Sequence, residues 1–194
     1  MGTTHKERWE DLTFGSDDPE VRERLHQLIL FIAERCQADP NFGMTKLVKI
    51  LYRADFESFA RYGESITGSQ YKKFPHGPVS QAALDVKDEM AKRGEIVVVK
   101  EGYSPYLRNR VLPIETADLD QFSGRDIALV DGVIQMFYGR TATFVSEFSH
   151  DRVWKAADWY EAIPYEAAFV SDEPLTERDV IIAHEMIEEY EQAK

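Results

Sequence analysis

Residues 46–80 constrain the fold more than any other part of the chain. Residues 46–62 space apolar side chains at helical intervals and extend them around most of the cylinder, which indicates a largely buried helix. Gly63 is expected to end this helix. The chain then reaches the sequence PHGP at 75–78, in which two prolines with a fixed φ enclose a permissive glycine. This pattern predicts a turn with one defined path into the next helix.

Three ordered blocks resemble the SocA-type antitoxin domain, also called the Panacea domain. The first is KLVKILYRADF followed by YGESITGSQY, and the second is PHGPVS. The third combines Ser149-His150-Asp151 and Trp154 with the sequence IPYEA at 163–167. Together the blocks cover about residues 42–169. The resemblance implies a prokaryotic or phage antitoxin that neutralises a cognate protein toxin by direct contact, and a variant of this activity adds delivery of the toxin to a cytosolic protease.

Nine residues are candidates for partner binding or for the structure of the motifs. They are Asp55, Tyr71, Phe74, His76, Gly77, Pro78, His150, Trp154 and Tyr165. Asp55 lies on the side of its helix that is expected to be buried, where an ionised carboxylate must be paired or hydrogen-bonded. We expect it to hold the PHGP turn or to pair with an arginine, and a ligand or catalytic role is the alternative. The aromatic candidates are interpreted as core or rim packing, although exposed aromatic residues are typical of interface hot spots.

The chain of 194 residues is long enough for one domain that needs no disulfide or structural metal. Residues 1–18 are expected to form a flexible tail and residues 19–194 a single domain. The one cysteine, Cys36, lies on an apolar helical stripe and is expected to be buried, which fits a reducing compartment. The sequence contains no apolar signal segment and no apolar run of membrane-spanning length, so we expect a cytoplasmic protein without a membrane partner.

Capping residues and periodicity predict an α+β fold in which helices form the majority. The expected helices are 19–38, 46–62, 77–93, 123–138, 141–149, 151–160 and 176–193. Residues 95–100 and 108–114 are rich in β-branched side chains, and they predict one small antiparallel hairpin with a longer loop at 102–105.

A DNA-binding regulator is the second hypothesis. The formal charge of −12 disfavours nucleic acid as a general ligand. Residues 72–110, however, contain eight Lys or Arg and five Asp or Glu, a net charge of +3. The helix that ends at Gly94 and the hairpin that follows it have the order of a winged-helix DNA reader. Three acidic residues in the supposed recognition helix count against this reading, namely Asp85, Asp88 and Glu89.

A hydrolase or metal enzyme built around Asp55, His76 and His150 is the third hypothesis. The chain has no G-x-S-x-G elbow, P-loop, dinucleotide fingerprint or H-E-x-x-H motif. His150-Asp151 is expected to be a helix cap with its neighbour, because adjacent side chains rarely point at one substrate. We therefore expect no enzymatic activity, no cofactor and no metal.

Overall fold

The computed structural model describes residues 18–103 and 106–170, together with residues 178, 181, 182 and 184. Residues 1–17 of the expected tail and most of the expected helix at 176–193 lie outside the described residues. The four residues described in that last segment are helical. Up to residue 170 the described chain is α+β and mainly helical, as the sequence predicts.

Helix α1 (Pro19–Arg35) begins where its capping signal predicts. Asp18 accepts a 2.9 Å hydrogen bond from the Glu20 amide, and Pro19 occupies the first turn, where a missing amide hydrogen costs nothing. The helix ends three residues before the expected Ala38. It does so because the chain turns after Cys36 and buries Asp39 in the core.

Helix α2 (Met44–Tyr62) ends as expected at Gly63, whose φ of +77° lies in the left-handed region. A three-stranded antiparallel sheet follows around the PHGP turn: β1 (Tyr71–Phe74), β2 (Gly77–Val79) and β5 (Ala162–Ile163). The sequence predicts one small antiparallel sheet, whereas the described residues form two separate sheets. Strands of two to four residues are too short to show the alternation of a strand, and β5 comes from a distant part of the sequence.

Helix α3 (Gln81–Arg93) is capped by Ser80 and Gly94. It starts later than the expected 77–93, because residues 77–79 form β2. The second sheet consists of β3 (Ile96–Tyr103) and β4 (Tyr106–Pro113), which form the expected hairpin. The strands run further than predicted, because their pairing continues through Gly102 and Tyr103. Residues 104 and 105, which separate the strands, lie outside the described residues, and the expected loop at 102–105 is too long.

Three helices follow: α4 (Gly124–Phe137), α5 (Ala142–Phe148) and α6 (Arg152–Ala156). The predicted capping box of α4 is present, since the Ser123 side chain accepts from the Asp126 amide and the Asp126 carboxylate accepts from the Ser123 amide. Helix α6 is shorter than the expected 151–160, because the backbone becomes extended at Ala157. A 3-10 helix (Tyr165–Phe169) ends this region.

Two hydrophobic clusters hold these elements together. The larger lies between α1, α2, α3, α4 and the base of the β3–β4 hairpin, and it includes Cys36, which is buried as predicted. Burial raises the pKa of the Cys36 thiol to about 12. The smaller cluster lies beneath the three-stranded sheet and consists of Tyr52, Phe56, Tyr71, Val153, Ile163 and Ala167. Because α2 contributes to both clusters, it fixes the position of the PHGP turn relative to the core. Among the helices described, none combines the length and the apolar character that crossing a membrane requires.

Candidate partner-binding site at the PHGP turn

The PHGP turn between β1 and β2 is held by α2 and by the end of α5. Gly77 has a φ of +95°, which side chains rarely adopt. A Cβ at this position would overlap the Ser149 hydroxyl and would lie 2.8 Å from Lys49 Nζ. Lys49 Nζ donates a 2.7 Å hydrogen bond to the Pro78 carbonyl, and the Ser146 hydroxyl donates one of 2.7 Å to the His76 carbonyl. Conformation and space both require a glycine at position 77.

Lys49 is a buried lysine that the sequence analysis did not single out. Lys49 is 2% exposed. Its side-chain nitrogen donates to a neutral carbonyl rather than to a carboxylate. Burial lowers the pKa of Lys49 to about 7. The sequence contains a signal for Lys49, because a charged side chain on the apolar side of α2 is expected to be buried. The same argument singled out Asp55. The neighbouring buried lysine, Lys46, is paired with Asp39 at 2.6 Å.

Asp55 is completely buried and has polar partners, as predicted, but they are not the expected ones. Its carboxylate accepts hydrogen bonds from the Thr67 amide (2.7 Å), the Thr67 hydroxyl (2.5 Å) and the Tyr71 hydroxyl (2.7 Å). The prediction that Asp55 pairs with an arginine is therefore wrong. Burial raises the pKa of Asp55, and these hydrogen bonds oppose the rise. Asp55 fastens the segment that leads into β1, rather than the turn itself.

His150 and Trp154 lie beside the turn. Their rings stack with centroids 4.2 Å apart, and the Trp154 indole donates a 3.2 Å hydrogen bond to the Phe74 carbonyl. Burial lowers the pKa of His150, and the nearby Lys49 and His76 lower it further. The Nε2 atom of His150 is buried without a hydrogen-bond partner. Asp151 caps α6 by accepting from the Trp154 amide at 2.9 Å, so the His150-Asp151 pair is a helix start, as expected.

Lys73 connects β1 to the segment after α6. Its ammonium group lies 4.5 Å from the ring centroid of Trp154 and 4.8 Å from that of Trp159, and it donates a 2.7 Å hydrogen bond to the Ala157 carbonyl. The two indole rings meet edge to face. The cation and the rings therefore form a cage that fixes Trp159 next to the PHGP turn.

Tyr165 joins the 3-10 helix to the same region. Its hydroxyl donates a 2.6 Å hydrogen bond to the Ser69 carbonyl, while its ring stacks on Phe59 at 5.3 Å and packs on Phe56 at 4.8 Å. This residue packs against α2 and is half-buried.

The family model of the antitoxin SocA-like domain, the Panacea domain, matches residues 47–155. The chain belongs to this antitoxin family. The match includes α2 except its first three residues, the PHGP turn, the β3–β4 hairpin and α6 except its last residue. No significant match was found in a search of curated proteins or in a search of solved structures.

The matched part of the Panacea domain ends before the corner that contains Trp159 and before the 3-10 helix. Eight of the nine candidate residues lie within the match, and Tyr165 lies beyond it. The structure divides the nine by exposure. Asp55, Tyr71, Gly77 and Pro78 are buried, His76 is exposed, and Phe74, His150, Trp154 and Tyr165 are half-buried. Exposed Trp159, which was not among the nine, lies next to them.

The metal site considered for Asp55, His76 and His150 is not assembled in this Panacea domain. The Asp55 carboxylate is occupied by Thr67 and Tyr71. In the described ranges, no group of three or more His, Cys, Asp or Glu side chains is placed to hold a metal ion.

The basic stretch at 72–110 does not form one cationic surface. Lys73 is buried in the tryptophan cage, and Arg110 is buried with its guanidinium donating to the Asp39 and Gln37 carbonyls. Arg108 pairs with Glu101 and Arg93 with Glu95. The helix-then-hairpin order of a winged helix is present, but several of the cations that would contact phosphates are used within the fold.

Proposed function

We propose that this protein is an antitoxin that binds a cognate protein toxin directly and suppresses it. Membership of the Panacea family carries the antitoxin role, since the family match covers the PHGP turn and the helix that supports it. Direct contact is our inference from the surface beside this turn. Tight binding is required for neutralisation by occupation, and nanomolar affinity corresponds to about −12 kcal/mol.

The contact surface that we propose is the turn face, defined as His76, His150, Trp154, Trp159 and Tyr160. Each of these residues is half-buried or exposed, and four of the five are aromatic or stack on an aromatic ring. Aromatic residues with fixed positions lose little conformational entropy on binding and dominate interface energetics. The buried candidates, Asp55, Tyr71, Gly77 and Pro78, hold this face in shape.

Two finer aspects belong to the same proposal. We place the protein in the cytoplasm, where its free and buried Cys36 would remain reduced. We also propose that the protein can deliver the bound toxin to a cytosolic protease. The turn face would hold the toxin, and other surfaces of the protein would remain free to contact the protease. Toxin levels in cells with and without the protein distinguish delivery, which lowers them, from simple blockade, which does not.

Co-expression tests the proposal. Each product of the reading frames next to this gene is expressed alone and together with this protein, and growth is measured. We expect one product to arrest growth alone and to be neutralised by this chain, and the purified proteins to form a complex. Absence of rescue against every neighbouring product, together with catalytic turnover by the purified chain, would contradict an antitoxin role.

A further inference from the structure

The corner at Trp159 and Tyr160 has an unusual backbone. Tyr160 has a φ of +68°, and it is the one residue other than glycine with a positive φ in the part of the chain that the structure describes. A bulky residue adopts this conformation only when its surroundings enforce it, and such positions concentrate at binding and active sites. The positive φ of Tyr160 therefore needs a structural cause.

Lys73 supplies that cause through both its backbone and its side chain. The Lys73 carbonyl accepts a 2.9 Å hydrogen bond from the Tyr160 amide, and the Lys73 amide donates a 3.1 Å hydrogen bond to the Glu161 carbonyl. Its ammonium group, in a residue that is 8% exposed, fills the space between Trp154 and Trp159. One residue of β1 thus fixes the backbone of the corner and the direction of its indole.

The corner presents Trp159 to solvent in a fixed position. This side chain is 52% exposed, although the Lys73 ammonium covers part of its ring and Trp154 packs against it edge to face. An exposed indole that is already immobilised is suited to be an interface anchor, because its ordering cost has been met within the fold. The corner lies beyond residue 155, where the family match ends.

The charges around the corner indicate the chemistry of the partner. Asp158 and Glu161, which flank Trp159 and Tyr160 in sequence, are both exposed. Residues 147–170 contain five acidic and two basic side chains, and the whole chain has a charge of −12. Strand β1 also brings two lysines to the corner: Lys73 lies behind the indole, and Lys72 interacts electrostatically with Glu161. A guanidinium group can stack on an indole face and at the same time donate to neighbouring carboxylates. An arginine on a basic protein surface therefore complements the corner in shape and charge.

We propose that the Trp159–Tyr160 corner is the anchor with which this protein captures an arginine of a basic surface on its protein partner. Trp159 stacks on the guanidinium, Asp158 and Glu161 accept from it, and Lys73 is the positioning residue behind the indole. This inference rests on the proposed antitoxin function and names the partner chemistry of its turn face.

The decisive variant is Trp159→Ala in the full chain, with Leu107→Ala as a matched control, because Leu107 is 59% exposed on β4. The binding partner is the neighbouring gene product that this protein neutralises. Loss of a hot-spot tryptophan typically weakens binding by about 30-fold or more. We expect a loss of that size for Trp159→Ala, with failure to rescue growth, and no more than a twofold change for Leu107→Ala. Affinity of Trp159→Ala within twofold of wild type would overturn the proposal.

Lys73 is tested with the pair Lys73→Met and Lys73→Arg. We expect the methionine variant to lose affinity and the arginine variant, which keeps a cation between the rings, to recover part of it. If Lys73→Met does not fold, Asp158→Asn combined with Glu161→Gln provides the second measurement. This double variant is expected to slow association and to weaken its dependence on salt, and an unchanged association rate would count against the acidic contribution.

If no neighbouring product is neutralised by the wild-type chain, the antitoxin proposal fails, and the corner is tested without it. The probe is then a ten-residue peptide of alternating glycine and arginine, titrated by calorimetry beside its glycine and glutamate counterpart. Binding of the arginine peptide that is lost in Trp159→Ala and retained in Leu107→Ala would support the anchor. Equal binding to both variants would overturn it.

Discussion

Gly77 and Gly63 both have a positive φ, but they differ in what surrounds them. A Cβ at Gly63 would meet nothing within 4 Å, whereas one at Gly77 would meet Ser149 and Lys49. The comparison separates backbone strain from steric overlap. It also shows why a glycine between two prolines is informative in the sequence: the turn needs both its flexibility and its lack of a side chain.

Gly77→Ala is expected to destabilise the protein by about 1–3 kcal/mol more than Gly63→Ala, because overlap in a packed site is added to the strain of a left-handed residue. Urea unfolding of both variants measures the difference. Equal losses of stability would mean that Ser149 and Lys49 move aside at little cost.

Lys49 makes stability depend on pH in a direction that can be worked out from its lowered pKa. Folding lowers this pKa from 10.5 to about 7. Between these two values the unfolded chain binds one proton more than the folded chain, so stability rises with pH. Below about pH 7 both states hold the proton and this contribution is flat.

Relative to Lys49→Met, the wild-type protein should gain stability between pH 7.5 and 9.5, with a slope of at most about 1.4 kcal/mol per pH unit. Urea unfolding at several pH values measures the difference between the two proteins. Lys92→Met, at an exposed position, is the control and should show no such trend. A pH-independent difference for Lys49→Met would show that Lys49 is charged in the folded protein.

At the scale of elements, α3 depends on a cap that belongs to the turn region. The Ser80 hydroxyl accepts a 3.1 Å hydrogen bond from the Ala83 amide and lies 2.6 Å from the Ser69 hydroxyl, and all of these groups are buried. Thr141 caps α5 with a similar bond to the Phe144 amide, but in an exposed position.

Ser80→Ala should therefore cost about 1–2 kcal/mol, and Thr141→Ala about 1 kcal/mol or less, because removal of a buried partner leaves other polar groups unsatisfied. Melting temperatures of the two variants provide the test. If Thr141→Ala lowered the melting temperature more than Ser80→Ala, the hydrogen bonds around Ser69 would contribute little to stability.

The elements that could be predicted are those with local signals. Asp18, Ser123 and the glycines at 63 and 94 mark helix ends because capping depends on neighbours in the sequence. The three-stranded sheet could not be predicted, because β1 gains its second neighbour from residues 162–163. Lys49 and the Trp159 corner depend in the same way on tertiary contacts. The turn at 75–78 could therefore be predicted from the sequence, whereas the burial of Lys49 and the exposure of Trp159 could not.

At the scale of the whole molecule, the distribution of charge argues against DNA as a ligand. The net charge is −12, and Lys73 and Arg110 of the basic stretch are buried within the fold. We expect no submicromolar binding of the full chain to duplex DNA at physiological ionic strength, measured by fluorescence anisotropy. Salt-sensitive binding that is lost when Lys100 and Arg108 are neutralised would support the DNA-binding hypothesis instead.

The buried position of Cys36 has a practical consequence for kinetic work. Thiol reagents attack the thiolate, and a thiol that is both enclosed in the larger cluster and shifted to a pKa of about 12 reacts only when the protein opens around it. The chain contains no other cysteine. The rate of alkylation, measured by mass spectrometry with and without a partner, therefore reports how often the core opens. A second cysteine introduced at an exposed position would be modified long before Cys36, so spectroscopic labels can be attached there without removing the native thiol.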